Sequence, residues 1–459
     1  MTSRLIDPVS LPRLNTPTLR RLPNGLTIVA EQMPTEAVNL SLWLNVGSAV
    51  EADSINGMAH FLEHMIFKGT DSLKSGEFER LIEQRGAVTN AATSQDYTHY
   101  YITTAPKDFT DLAPLQIEVV LNAAIHDEAF ERERSVILEE IRRANDNPNR
   151  RMLYHSMDLA FEKLPYRRHV LGTQEVVESL TPQQMRDFHT TWYRPSSMTA
   201  VAVGNLPVEE LIETVVAGFE RAQSNQVRPE LSEQQRKAAR DTVSVLPKSL
   251  TEESSQLNYQ YQEMGEKPFE HTIRKDYVDD KLQQARLVMM WRVPGVVQMN
   301  ETYALDILAS VVGQGRTSRL VRELREEKRL VSSISASNMT FAKQGIFYVS
   351  AQLPEEKLEQ VERAIANHIR QLHRVAVTDQ EISRIQTLVA NRFIFGSETP
   401  SNRAGLYGYY QTIAGDLNTA VDYPERIRTI NADHLRTAAQ RYLSPEAYGV
   451  VVIRPAALS

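Results

Sequence analysis

The sequence predicts an α+β fold made of two homologous halves, each a β-sheet packed with helices. Three observations point there. Apolar residues alternate with a period of two in some stretches and recur at helical spacing in others, so both element types are present. Stretches of the second half line up with the first, residues 300–313 with 56–69, 379–400 with 127–148, and 441–453 with 191–203, as in a duplicated fold. Between them, residues 222–268 turn rich in Gln, Ser, Glu and Pro, as a linker between domains does. The expected organisation is therefore 1–222 as a first domain, 223–268 as a linker region and 269–459 as a second domain. A chain of 459 residues with 42% apolar content can bury cores for two such units.

After a Pro-containing start, residues 25–30 and 38–46 alternate apolar with polar and read as strands. A helix follows around residues 57–66. Residues 75–85 read as a second helix ended by Gly86, and 88–104, rich in Thr and Tyr, as an extended hairpin. Helices are expected over 112–125 and 127–145. Another begins at Thr181, with Pro182 in the first helical position, where its missing N–H costs nothing. Residues 197–204 read as a buried strand, and 206–221 close the first half. In the second half the pattern gives helices over 316–328, 356–372 and 431–442, and strands over 331–340 and 345–353.

The charge balance, 51 basic against 58 acidic residues for a net −7, offers no general attraction to phosphate and argues against nucleic acid as a partner class. No apolar run approaches the length of a membrane span, and the start lacks an apolar signal core. The chain as it stands is expected in the cytoplasm, or in the periplasm if a leader was removed. With no cysteine, thiolate ligands, disulfides and a cysteine nucleophile are excluded.

The chemistry concentrates in His60-Phe61-Leu62-Glu63-His64. On a helix, positions 60 and 64 lie one turn apart on one face, close enough for two imidazoles to share a metal ion. A zinc site that does chemistry uses three protein ligands and leaves a position open, so a third must come from elsewhere. In this H-x-x-E-H order Glu63 is the candidate base. Further on, Glu133, Ile137, Glu140 and Ala144 form one helical stripe, whereas Glu139 falls on another. Two carboxylates beside an isoleucine on an inward face cost desolvation unless they are paired or hold a cation; a solvated acidic face is the alternative. In the second copy the aligned positions are Ala304, Ile307, Leu308 and Arg392, so the polar set vanishes together.

From these residues the chain resembles the pitrilysin and mitochondrial processing peptidase family of inverted zinc metallopeptidases, in its short bacterial form. The resemblance covers nearly the whole chain and is sharpest over residues 60–70 and the pair Glu133 and Glu140. It implies a clamshell of two similar halves and one zinc per chain. It implies His60, His64 and Glu140 as metal ligands, Glu63 as general base, and Glu133 as a carboxylate orienting a ligand. The stretch from Asn90 to Tyr100 is similar to the family's edge strand, implying that Asn90, Ala91 and Thr93 pair with an extended peptide.

One departure stands out. The family carries an arginine and, seven residues later, a tyrosine that hold the substrate carbonyl; here Arg325 is present but Ser332 takes the tyrosine's place. A homologous partner subunit supplies the missing phenol, making a heterodimer (otherwise a homodimer), or a tyrosine such as Tyr407, Tyr409 or Tyr410 substitutes, or the carbonyl clamp is dispensable. The expected function is a zinc-dependent endopeptidase or oligopeptidase acting on unfolded peptides. The alternative is a non-catalytic peptide-binding or structural subunit of the same fold.

Overall fold

The computed structural model describes residues 16–225 and 265–456. The first half contains strands β1 (Thr18–Arg21), β2 (Thr27–Gln32), β3 (Val38–Leu44), β4 (Val88–Thr93), β5 (Thr98–Thr104) and β6 (Met198–Gly204). They form one sheet in the order β1-β2-β6-β3-β5-β4, with β2 and β6 parallel and the other neighbours antiparallel. The second half contains β7 (Ile273–Asp279), β8 (Ala285–Pro294), β9 (Ser333–Met339), β10 (Gln344–Leu353) and β11 (Gly449–Pro455), in the order β7-β11-β8-β10-β9. Here β7 and β11 are the parallel pair and the remaining pairs are antiparallel. Strand for strand, the second sheet repeats the first without β1.

The first half's helices are α1 (Met58–Ile66), α2 (Glu77–Gln84), α3 (Phe109–Leu121), α4 (Asp127–Asp146), α5 (Pro148–Ala160), α6 (Gln174–Ser179), α7 (Pro182–Trp192) and α8 (Val208–Ser224). In the second half α9 (Met299–Gly313), α10 (Leu358–Arg374), α11 (Asp379–Phe395) and α12 (Pro400–Tyr409) are followed by shorter helices and by the helix Ala432–Tyr442. Side chains alternate across β3, and each face has its own cover. Leu40, Leu42 and Leu44 share a core with Phe61, Leu62 and Met65 of α1. Trp43 faces the other way, against Ala404 and Tyr407 of α12.

That second contact crosses between the halves, and it has a counterpart. α5 leaves the first half to lie on the second sheet, where Met152, Met157 and Leu159 pack with Val288, Met290, Val451 and Ile453. α12 leaves the second half to lie on the first sheet, so close that a Cβ on Gly408 would stand 2.0 Å from the Trp43 indole nitrogen. Each half thus lends the helix after its long inner helix to the other half's sheet. A buried ion pair fixes α12: Arg403 donates to both oxygens of Glu31 at 2.9 and 3.1 Å, and the Tyr407 hydroxyl donates at 2.7 Å.

The structure adds elements that the sequence reading did not give, among them β1, α5, α6, β7, β8 and α12, and changes one that it did. β1 falls where the pattern gave irregular chain, and α5 was not expected as an element. The helix expected over 316–328 is a π-helical turn, Val321–Glu327, closed by the Lys328 N–H on the Glu323 carbonyl at 2.9 Å. Gly315, at φ +86°, ends α9 just before it. The linker expected at 223–268 lies largely outside the described residues. Among the described residues no helix is long and apolar enough to cross a membrane.

Candidate metal centre

α1 is apolar on nearly every side, and seven of its residues, Met58 to Leu62 with Met65 and Ile66, are buried. Glu63 and His64 alone break that pattern, so the helix is an inner element that shows only its polar pair to the cleft. Gly57 starts it in the left-handed region, at φ +98°, where a Cβ would press within 2.7 Å of the Leu171 carbonyl. The helix N-terminus carries partial positive charge and free N–H groups. The buried Glu51 carboxylate accepts from Gly57 N, Ala59 N and Asn56 Nδ2, each at 2.8 Å. Burial pushes that carboxyl up to about 7, against the pull of those donors.

Nε2 of His60 lies 3.6 Å and Nε2 of His64 lies 3.7 Å from Oε2 of Glu140. The three ligand atoms all fall within 4.8 Å of one another. Ligands about 2.0–2.2 Å from a tetrahedral zinc sit roughly 3.4 Å apart, so the triangle has the size the ion requires. Burial and the neighbouring His64 and Arg150 push His60 down to about 3, which keeps its ring neutral, the form that ligates a metal. The residues present therefore fit a zinc ion. Glu140 sits on α4 with its side chain half exposed to the cleft, while its neighbour Glu139 pairs outward with Arg142 and Arg143 at 2.8 and 2.9 Å.

Around the triangle the chain fixes each group. His64 Nδ1 is 2.9 Å from Oε1 of Glu133, which sets the ring with its Nε2 toward Glu140. The other oxygen of Glu133 takes Lys68 Nζ at 2.7 Å. Burial raises the Glu133 carboxyl, but Lys68 and His64 pull it further the other way, and it ends below its ordinary range. Glu63 is raised by burial, opposed by the Thr93 hydroxyl, which donates to its Oε2 at 2.5 Å. Thr93 ends β4, the last strand of the sheet, paired on one side only, with β5. On that strand Asn90 is exposed and its own Oδ1 accepts the Ala91 N–H at 2.9 Å, so this N–H is turned away from β5.

The remaining expectations fall elsewhere. Arg325 is held by Glu326 at 2.6 Å, and no hydrogen bond or ion pair brings it to His60, Glu63, His64 or Glu140. The Ser332 hydroxyl lies against Gln284 Oε1 and the Gln352 carbonyl, at 2.8 and 3.0 Å. Tyr407 belongs to the sheet face opposite α1. Tyr409 stands edge-on to Tyr97 on that same far side, and Tyr410 edge-on to Tyr409. These three tyrosines therefore do not substitute for the missing one, because α12 and the turn after it lie on the sheet face opposite α1. In the second half Ala304, Ile307 and Leu308 are buried in the core, and Arg392 bonds Gln314. Sequence reasoning missed Glu51, which no pattern marks. It also missed Lys68, whose place one turn after His64 was a usable signal.

Residues 27–174 match the family described as Insulinase (Peptidase family M16), and residues 179–389 match the Peptidase M16 inactive domain. The zinc protease PqqE of Helicobacter pylori is 26% identical over 97% of this chain and 94% of its own length. A probable mitochondrial-processing peptidase subunit beta of Arabidopsis thaliana is 25% identical over 95% of this chain and 77% of its own. The crystal structure of a protease from Helicobacter pylori superposes with a TM-score of 0.83 at 24% identity, over 97% of this chain and all of that one. With the duplicated sheets and, among the described residues, a triangle of candidate metal ligands in the first half only, these matches place the chain in peptidase family M16, as a two-halved clamshell fold of the pitrilysin and mitochondrial processing peptidase kind.

Proposed function

We propose that this protein is a zinc-dependent endopeptidase or oligopeptidase that hydrolyses unfolded peptides. The observation that carries the reading is the joining of three features in one place: the His60, His64 and Glu140 triangle, a half-buried carboxylate on Glu63 beside it, and an unpaired sheet edge ending at Thr93. His60, His64 and Glu140 would hold one zinc ion per chain, and Glu133 would hold His64 in the ligating tautomer. Bound there, zinc supplies a Lewis acid that polarises the scissile carbonyl and makes water acidic enough to attack near neutral pH.

Glu63 takes the water proton and passes it to the leaving amine. Its Oε2 is held by Thr93, which leaves Oε1 to accept that proton. Burial keeps bulk water from competing for the carboxylate and raises its basicity. The substrate is proposed to add as a strand to β4, with main-chain hydrogen bonds at Asn90, Ala91 and Thr93. Such pairing demands an extended chain and says little about its side chains.

A homologous partner subunit is proposed as well, giving a heterodimer, or else a homodimer. Its support is Ser332 in the tyrosine position and Arg325 engaged with Glu326. One relative is itself named as a subunit beta.

Elemental analysis should find zinc near one equivalent, and a quenched fluorescent peptide should be cleaved in its presence. Glu63→Gln should keep the metal and lose hydrolysis. Zinc bound without turnover, alone or with any similar chain added, would replace this reading by that of a peptide-binding subunit.

A further inference from the structure

The two histidines of the metal triangle are held in different ways. His64 has its Nδ1 on Glu133 at 2.9 Å, so a side chain fixes its ring. Nδ1 of His60 is buried, and among the described residues no group accepts a hydrogen bond from it. A ligating histidine is as a rule oriented through its second nitrogen. His60 depends instead on the packing round its ring and on where its backbone stands, which is the first turn of α1.

That turn is tied down from outside the helix. Glu51, fully buried, spreads its two oxygens across it. Oε2 accepts from Gly57 N, and Oε1 accepts from Ala59 N, the residue before His60, both at 2.8 Å. The residue at the cap position of α1 cannot do this itself, because Gly57 has no side chain. Oε2 also takes Asn56 Nδ2, and the same amide reaches on to the His169 carbonyl at 2.9 Å. The loop beyond His169 closes on the turn from the other side: a Cβ on Gly57 would stand 2.7 Å from the Leu171 carbonyl oxygen and 2.9 Å from Gly172 Cα. The first N–H groups of a helix have no partner within it, so a buried first turn stripped of Glu51 has to shift to find other acceptors. Farther along, Leu62, Met65 and Ile66 are locked in the core and His64 keeps Glu133. Loss of Glu51 is thus felt at the end of α1 that carries His60.

We propose that Glu51 is a positioning residue of the metal centre, fixing His60 through the first turn of α1 while Glu133 fixes His64 through its ring. Glu51 reaches the site only through the backbone. The proposal rests on the zinc reading of the triangle and not on turnover.

The test loads the full chain with cobalt(II), whose hyperfine-shifted imidazole N–H proton signals report each ligating histidine, and measures zinc affinity by competition with an indicator. The unsubstituted chain should show one such signal from each histidine, and Glu133→Ala should move that of His64. Glu51→Gln keeps the shape of the side chain but turns an amide NH2 toward a backbone donor. It should lower zinc affinity about tenfold and displace the His60 signal while that of His64 stays in place. Glu51→Ala should do the same more strongly. In the double variant the losses from Glu51→Gln and Glu133→Ala should multiply, since the two act on different ligands. Circular dichroism and gel filtration of the metal-free variants identify any that do not fold; should Glu51→Ala be one, Glu51→Gln decides. A Glu51 that merely stabilises the fold would lower the melting temperature yet leave the folded, cobalt-loaded variant with unchanged signals and affinity, and that result overturns the proposal. Displacement of both histidine signals alike would overturn it as well. An unsubstituted chain that binds neither cobalt nor zinc would remove the zinc reading and this proposal together, whereas metal held equally by the unsubstituted chain and Glu51→Gln removes the proposal alone.

Discussion

Glu133 joins His64 to Lys68: its two oxygens lie 2.9 Å from His64 Nδ1 and 2.7 Å from Lys68 Nζ, so one carboxylate both fixes an imidazole and neutralises a half-buried cation. Removal of Glu133 by Ala should weaken zinc binding by about 10–100-fold without abolishing it. His60→Ala, His64→Ala and Glu140→Ala should each abolish stoichiometric binding. Competition titration against a zinc indicator separates the two classes, and equal losses at Glu133 and Glu140 would refute the assignment of roles.

Extended substrates should be a requirement. A peptide that loses a main-chain donor by N-methylation next to its cleavage site, and with it a bond to a carbonyl on the open edge of β4, should lose about tenfold or more in kcat/KM. A stable globular protein should be spared under conditions where it stays folded. Its efficient cleavage in that state would contradict strand addition at β4.

The isolated chain should be a poor catalyst and gain rate when a homologous partner is added. A donor aimed at the developing oxyanion is worth roughly a hundredfold or more, and Ser332 cannot supply what a phenol would. Full activity of the purified chain, unchanged by any similar chain that co-purifies with it, would remove the reason for a partner.

Asp96 couples the halves and should give stability a pH dependence. Its oxygens accept from Tyr166 Oη at 3.1 Å and from Ala342 N, in the second half, at 2.7 Å, and burial raises its carboxyl to about 6. A carboxyl whose folded value lies above its unfolded value favours the fold at low pH and loses that contribution as pH rises through the folded value. Relative to Asp96→Asn, which does not titrate, the wild-type chain should therefore lose up to about 3 kcal/mol between pH 4 and pH 6.5 and then level off. Denaturant midpoints of both proteins across that window measure it. A difference that stays flat, or grows with pH, would show the opposite sign.

Gly408→Ala should destabilise the fold by about 1–3 kcal/mol, because the added methyl would meet the Trp43 indole. Gly405→Ala on the same helix meets nothing within 4 Å and should be neutral or stabilising by a few tenths of a kcal/mol. Melting temperatures of the two variants give the comparison.

Much of this was legible in the residues. The five-residue motif names α1, and the stripe through Glu133 and Glu140 reports an inward acidic face because burial of carboxylates needs a reason. The loss of the same set at Ala304, Ile307, Leu308 and Arg392 marks the second copy. What escaped is what depends on distant segments meeting. Glu51 caps α1 from an irregular stretch with no spacing rule to announce it. The π-helical turn at Val321–Glu327 cannot be told from an ordinary helix by periodicity over seven residues.

The reciprocal loan of α5 and α12 has a consequence for how peptides get in. Each helix plugs an apolar sheet face that would otherwise meet water, so swinging the halves apart would strip both faces at once and break the buried pair of Glu31 and Arg403. The chain is thus a single rigid jaw and not a mouth. A cut within 226–264 should leave two pieces that travel together through gel filtration. With the partner subunit proposed above, admission of substrate would belong to the seam between the two chains, and the slow step of opening would depend on protein concentration and not on hinge mutations.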